Sequence, residues 1–208
     1  MKKGRQWLIG LAAGVALVIA VGAVEAYVLL TGALDPGVAG GLTVAAAVGG
    51  TFTLVDGAGR TVTDRTYRGR WELVYFGYTY CPDVCPTTLG AIADALGNLG
   101  PLAARVQPLF ITIDPRRDTA PVIGAYVKNF DPRIVGLTGT PQAIAEVAKE
   151  FKVYYAVRKI GNGPDDYLMD HSSVIYVMDP QGRFARLLGA DLPGDQMAAK
   201  LRQLVSAS

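Results

Sequence analysis

Glu72-Leu73-Val74-Tyr75-Phe76-Gly77-Tyr78-Thr79-Tyr80-Cys81-Pro82-Asp83-Val84-Cys85-Pro86-Thr87-Thr88-Leu89 is the stretch that decides the fold. Glu72 to Phe76 is a short, mostly apolar run that reads as a core strand, ended by Gly77. Thr87 to Leu96, following Pro86, has helical character. The chain therefore leaves a strand at the sheet edge and enters a helix with two thiols in the turn. A cysteine at a helix N-terminus feels the positive end of the helix dipole, which favours thiolate. Thiolate is the form that attacks a disulfide, and also the form that binds a soft metal. Pro82 and Pro86 restrict the loop and keep the sulfurs close. Three intervening residues leave room for both to flank a metal ion, or to close into a disulfide. The Cys-x-x-x-Cys spacing does not separate these two uses. A purely structural bridge here would close a very short loop and stabilise little. A strand-to-helix switch point is also where α/β sheets bind ligands.

Outward from this loop the chain alternates strand and helix. Val106 to Ile113 reads as a second core strand. Asp118-Thr119 opens a helix with Pro121 in its first turn, running through Tyr126 and Phe130. Ile134 to Leu137 is a third strand. Thr140, Pro141 and the spacing of Ile144, Val147, Ala148 and Phe151 make an amphipathic helix. Val153 to Arg158 reads as extended. Hairpin signals lie at both ends: Asp56-Gly57-Ala58-Gly59 between Phe52–Val55 and Thr61–Thr63, and Asp179-Pro180-Gln181-Gly182 between Ser173–Met178 and Phe184–Leu188. Met197, Leu201 and Leu204 mark a closing helix. Alternation implies parallel strands with helical crossovers, and the terminal hairpins make the sheet mixed. A cysteine pair just after a core strand, at a helix entrance, fits an α/β, thioredoxin-like mixed sheet flanked by helices.

The lone histidine, His171, lies in Asp170-His171-Ser172-Ser173, just before the strand from Val174. By position alone it reads as a surface or hydrogen-bonded core residue. Two thiolates and one imidazole suit Cu(I), can also hold Cu(II), and with a water suit zinc. Met169, Asp83 and Met178 are possible weak extra ligands, with packing for the methionines and solvation for the aspartate as the plainer readings.

Lys2, Lys3 and Arg5 precede a long apolar run from Trp7 to Val24, and Ala26 to Leu30 is apolar again. Roughly 20 apolar residues span a bilayer. The basic flank should stay in the cytoplasm and place the rest outside. The length favours an uncleaved anchor over a signal peptide cut near Val24-Glu25-Ala26. The expected organisation is an N-terminal transmembrane helix in residues 1–31, a Gly/Ala-rich linker in 32–50 and one domain in 51–208. The formal net charge of +2 offers no basic face for nucleic acid.

Three segments resemble the SCO/SenC family of copper chaperones: Val74 through Leu89, Ile113-Asp114-Pro115-Arg116-Arg117-Asp118-Thr119, and Asp166-Tyr167-Leu168-Met169-Asp170-His171-Ser172-Ser173. The second segment usually continues with proline in that family; here Ala120 stands there and Pro121 follows, a variation in how a helix starts. The resemblance implies a thioredoxin-like fold and copper ligation by Cys81, Cys85 and His171. It implies delivery of copper to the binuclear copper site of cytochrome c oxidase, or thiol–disulfide reduction of that site by the Cys81/Cys85 pair. The partner implied is the copper-receiving oxidase subunit. The location expected is the inner, cytoplasmic membrane, with one pass and the soluble domain on the periplasmic or extracytoplasmic side. Asp114, Arg117 and Asp118 match the family; a buried ion pair or a helix cap is their plain reading. Peroxide reduction ranks last, since it needs an arginine beside an activated cysteine and only Arg117 is available to approach.

Overall fold

The computed structural model describes residues 48–206. The expected transmembrane segment lies outside them. Among the described residues no helix is long and apolar enough to cross a membrane.

The elements run β1 (Thr53–Asp56), β2 (Thr61–Thr63), β3 (Trp71–Gly77), α1 (Val84–Leu99), a 3-10 turn (Gly100–Arg105), β4 (Val106–Thr112), α2 (Ala120–Lys128), β5 (Val135–Thr138), α3 (Pro141–Glu150), β6 (Tyr155–Lys159), β7 (Tyr167–His171), β8 (Val174–Met178), β9 (Phe184–Gly189) and α4 (Gly194–Ser206). One seven-stranded sheet has the order β2-β1-β5-β4-β3-β8-β9, and β6 and β7 form a separate two-stranded ribbon. β3, β4 and β5 are parallel neighbours, while β8 and β9 close the sheet antiparallel. This is the mixed sheet that the sequence implies. The unit β3-α1-β4, with β8, β9 and α4 completing it, is the thioredoxin-like arrangement.

Every residue of β3 and of β4 is buried. A near-continuous apolar run is what a strand covered on both faces requires. Neighbours in β3 point to opposite faces. Phe76 packs on Phe151 at the end of α3 and on Tyr176 of β8. Tyr75 packs on Phe110 of β4, which meets Tyr126 of α2. Cys85, at the start of α1, lies on this second face, against the Tyr75 hydroxyl.

Some boundaries differ from the expected ones. α1 starts at Val84, three residues earlier than expected, so Cys85 is helical. Pro86 is tolerated because first-turn N–H groups need no intrahelical partner. α2 ends at Lys128, leaving Phe130 just beyond it. Thr140 caps α3 as its position suggests, accepting a 3.1 Å hydrogen bond from the Ala143 N–H. Tyr167 to His171, for which the sequence predicts no element, is a strand paired with Tyr155 to Lys159.

Candidate metal centre

The cysteine loop is held at both ends. The Gly77 carbonyl accepts from the Ile113 N–H at 2.8 Å, which joins the ends of β3 and β4. Asp118 is buried and accepts from the Thr79 N–H at 3.0 Å, from Thr79 Oγ1 at 2.5 Å and from Thr112 Oγ1 at 2.6 Å. It therefore straps the loop to β4, and is neither a helix cap nor half of an ion pair. The loop then turns, with Cys81 N–H donating to the Tyr78 carbonyl at 3.3 Å, and enters α1.

His171 is the last residue of β7 and is partly buried. Its Nδ1 stands 3.0 Å from the Ser172 carbonyl oxygen, which can only accept. Nδ1 therefore carries a proton and donates to that oxygen, which turns Nε2 toward the sulfurs. That Nε2 lies 3.6 Å from Cys85 Sγ. The side-chain donor atoms of Cys81, Cys85 and His171 all fall within 4.8 Å of one another. Both thiols are free, Cys85 buried and Cys81 half-buried. Among the described residues the structure thus brings together all three side chains expected from the sequence, although 86 positions separate Cys85 from His171.

The two thiols are unequal. Hydrogen bonding from the Cys85 thiol pulls Cys81 down to about 3, helped by His171 and by the Asp83 and Cys85 backbone N–H groups, against the cost of burial. Cys85 is pushed above the ordinary thiol range by that same bond and by burial. The pair therefore holds one thiolate, on Cys81, and one proton, on Cys85. The Cys85 N–H donates to Cys81 Sγ at 3.4 Å, as expected for a sulfur at a helix entrance. The Tyr75 hydroxyl donates to Cys85 Sγ at 3.7 Å.

A cleft of about 290 Å³ opens beside Cys81 and His171, lined among others by Tyr78, Asp83, Met169 and Asp170. Met169 and Asp83 both border it. Met178 does not: it pairs with Glu72 at the far end of β3, so it belongs to packing. Asp114 and Arg117 form the expected ion pair. The Arg117 guanidinium also donates to the Tyr167 carbonyl at 3.0 Å and lies over the rings of Tyr167, Tyr80 and Tyr78, at 3.7, 4.8 and 5.7 Å. Those engagements leave it stacked on aromatics rather than presented to a sulfur.

Tyr75 and Tyr78 lie within the cysteine motif, but the sequence alone gives neither a role. Tyr75 sits two residues before Gly77, hence on the face that Gly77 opens to Cys85, so alternation alone could have marked it.

The fold and the site define a class: a thioredoxin-like domain whose cysteine pair, at the helix entrance, is joined by an imidazole from a separate ribbon. The chain belongs to the SCO1/SenC family, whose model matches residues 41–206. It is 40% identical over 153 residues to protein sco1 of Schizosaccharomyces pombe, covering 73% of this chain and 58% of that protein. It is similar to Arabidopsis thaliana ScoI with copper bound, at 37% identity and TM-score 0.72, covering 78% of this chain and 100% of that one. It is also similar to Bradyrhizobium japonicum ScoI with copper bound, at 41% identity and TM-score 0.69, covering 76% of this chain and 99% of that one. The chain spans roughly half to three fifths of the length of the first curated relatives it matches.

Proposed function

We propose that this protein is a copper metallochaperone in cytochrome c oxidase assembly, holding copper through Cys81, Cys85 and His171 and delivering it to the binuclear copper site of the oxidase. The observation that carries this reading is the convergence of three soft or borderline donors within 4.8 Å. Two sulfurs and one imidazole match copper in either oxidation state, with one sulfur already a thiolate. The copper-bound relatives support the same cargo. The protein partner is the copper-receiving oxidase subunit. The basic flank and apolar run of residues 1–31 support a membrane anchor, with residues 32–50 as linker and the domain of 51–208 facing the periplasmic or extracytoplasmic side.

A second reading rests on the unequal thiols. The Cys81 thiolate attacks a disulfide in the partner, forming a mixed disulfide and releasing one partner thiolate. Cys85, once deprotonated, attacks Cys81 Sγ and releases the second. The partner gains two electrons, and Cys81–Cys85 becomes a disulfide. This route uses both cysteines and no imidazole.

His171→Ala separates the two. Altering a residue that merely orients a ligand costs about 10–100-fold in metal affinity, so losing the ligand should cost at least that. Copper competition with a chelator measures the affinity, and thiol alkylation followed by mass spectrometry checks that the cysteines still cycle. Failure of His171→Ala to support oxidase assembly, with cycling intact, upholds delivery. Full support by His171→Ala alongside failure of Cys81→Ala makes the reductase reading the correct one.

A further inference from the structure

The two cysteines and the histidine reach the site by different routes. The cysteines ride on β3 and α1, in the main sheet and its covering helix. His171 ends a ribbon that shares no backbone ladder with that sheet. Ser172 and Ser173 join it to β8 at one end, so the position of the imidazole depends on what fastens the rest of β7. The fastening at the other end of β7 is Tyr167. Its hydroxyl donates to both Asp114 carboxylate oxygens, at 2.9 and 3.1 Å, its carbonyl accepts from Arg117 at 3.0 Å, and its ring lies 3.7 Å from the Arg117 guanidinium carbon. Asp114 in turn pairs with Arg117 and is itself anchored at the end of β4, where its N–H donates to Thr112 Oγ1 at 2.8 Å.

The same guanidinium lies over Tyr78 and Tyr80 of the cysteine loop. Tyr78 completes the connection: its ring meets the His171 ring edge-on with centroids 6.1 Å apart. Arg117 thus touches both the loop bearing the cysteines and the strand bearing the histidine. It makes each contact with a planar, forked group that a lysine does not reproduce.

We infer that Arg117, with Asp114 and Tyr167, is a positioning latch that holds the ribbon against the cysteine loop and so sets the place of His171 as the third ligand. The inference rests on the copper reading above. The latch touches neither sulfur, so it governs metal binding and leaves both cysteines able to exchange with a disulfide.

The test uses Arg117→Ala, Arg117→Lys and Tyr167→Phe, each also combined with His171→Ala, in the full-length chain. Copper affinity should fall about 10–100-fold in Arg117→Ala and recover only in part in Arg117→Lys. In the His171→Ala background the same changes should cost nothing further, because the ligand they position is gone. The Cys81–Cys85 pair should still cycle between dithiol and disulfide, as alkylation followed by mass spectrometry reads out. His171 is the only histidine, so its ring nitrogen resonances are unambiguous in the metal-free protein. They should report a single Nδ1-protonated form in the wild type and exchange between tautomers in Arg117→Ala. Tyr167→Phe removes one hydroxyl and serves if Arg117→Ala fails to fold. Unchanged affinity and an unchanged imidazole spectrum in the latch variants would overturn the inference. So would losses that simply add to that of His171→Ala. An unchanged affinity in His171→Ala alone overturns the copper reading instead, and the metal-free spectrum still judges the latch.

Discussion

Cys81 and Cys85 share one loop but have opposite chemistry. Cys81 accepts a backbone N–H at 3.4 Å and faces a cleft, whereas Cys85 lies buried against the Tyr75 hydroxyl. The Cys81 thiol is lowered to about 3, so it is ionised throughout the neutral and mildly acidic range. Raising the pH through that range adds no further thiolate at Cys81, while Cys85 stays protonated. Alkylation of the reduced, metal-free protein by iodoacetamide should therefore modify Cys81 first, at a rate nearly flat from about pH 5 to 8, where an ordinary thiol near 8.5 would speed up roughly tenfold per pH unit. Peptide mapping after brief exposure reads out which thiol reacted. A rate at Cys81 that climbs with pH in that way would mean that Cys85 and His171 do not hold the charge there.

At the scale of elements, the turn from β3 into α1 is set by packing as tight as the chemistry it carries. A Cβ on Gly77 would stand 2.7 Å from Cys85 Sγ and 2.7 Å from Phe110 Cε2. Gly77→Ala should therefore push the buried sulfur out of place, costing about 1–3 kcal/mol of stability and weakening copper binding. Gly90, inside α1, has nothing within 4 Å of its virtual Cβ. Gly90→Ala should leave copper binding intact and gain about 0.4–1 kcal/mol from lost chain entropy and better helix propensity. Denaturant melts of the metal-free variants distinguish the two. Most of these elements could be read from the sequence, because β3, β4, the Thr140 cap and both hairpin turns carry local signals. β7 could not. Tyr-Leu-Met-Asp-His lacks a run of β-branched residues, and its partner begins twelve residues upstream, beyond a Gly- and Pro-containing turn. The cysteine pair was legible for the same local reason. His171 became the favoured third ligand only through family resemblance, since no local pattern brings residue 171 to residue 85. The latch was hidden likewise: Arg117 and Tyr167 are 50 positions apart and meet only through the fold.

For the whole molecule, the site is divided between a local part and a distant part. The two sulfurs are neighbours along the chain whether or not it is folded, and the imidazole joins them only in the native state. A metal ion then has two hosts, the folded domain with three donors and the unfolded chain with two. Stabilisation follows the ratio of those two affinities, not the native affinity itself. If the imidazole multiplies affinity by about 10–100-fold, saturating Cu(I) under reducing conditions favours the folded state by roughly 1.4–2.7 kcal/mol. For a domain of this size that raises the melting temperature by about 3–10 °C. In His171→Ala the two hosts become nearly equivalent and the rise should vanish, although copper remains bound. Calorimetry with and without Cu(I) checks both. Very tight copper binding is therefore compatible with only a small thermal shift, and what the melting point weighs is the single donor that folding contributes.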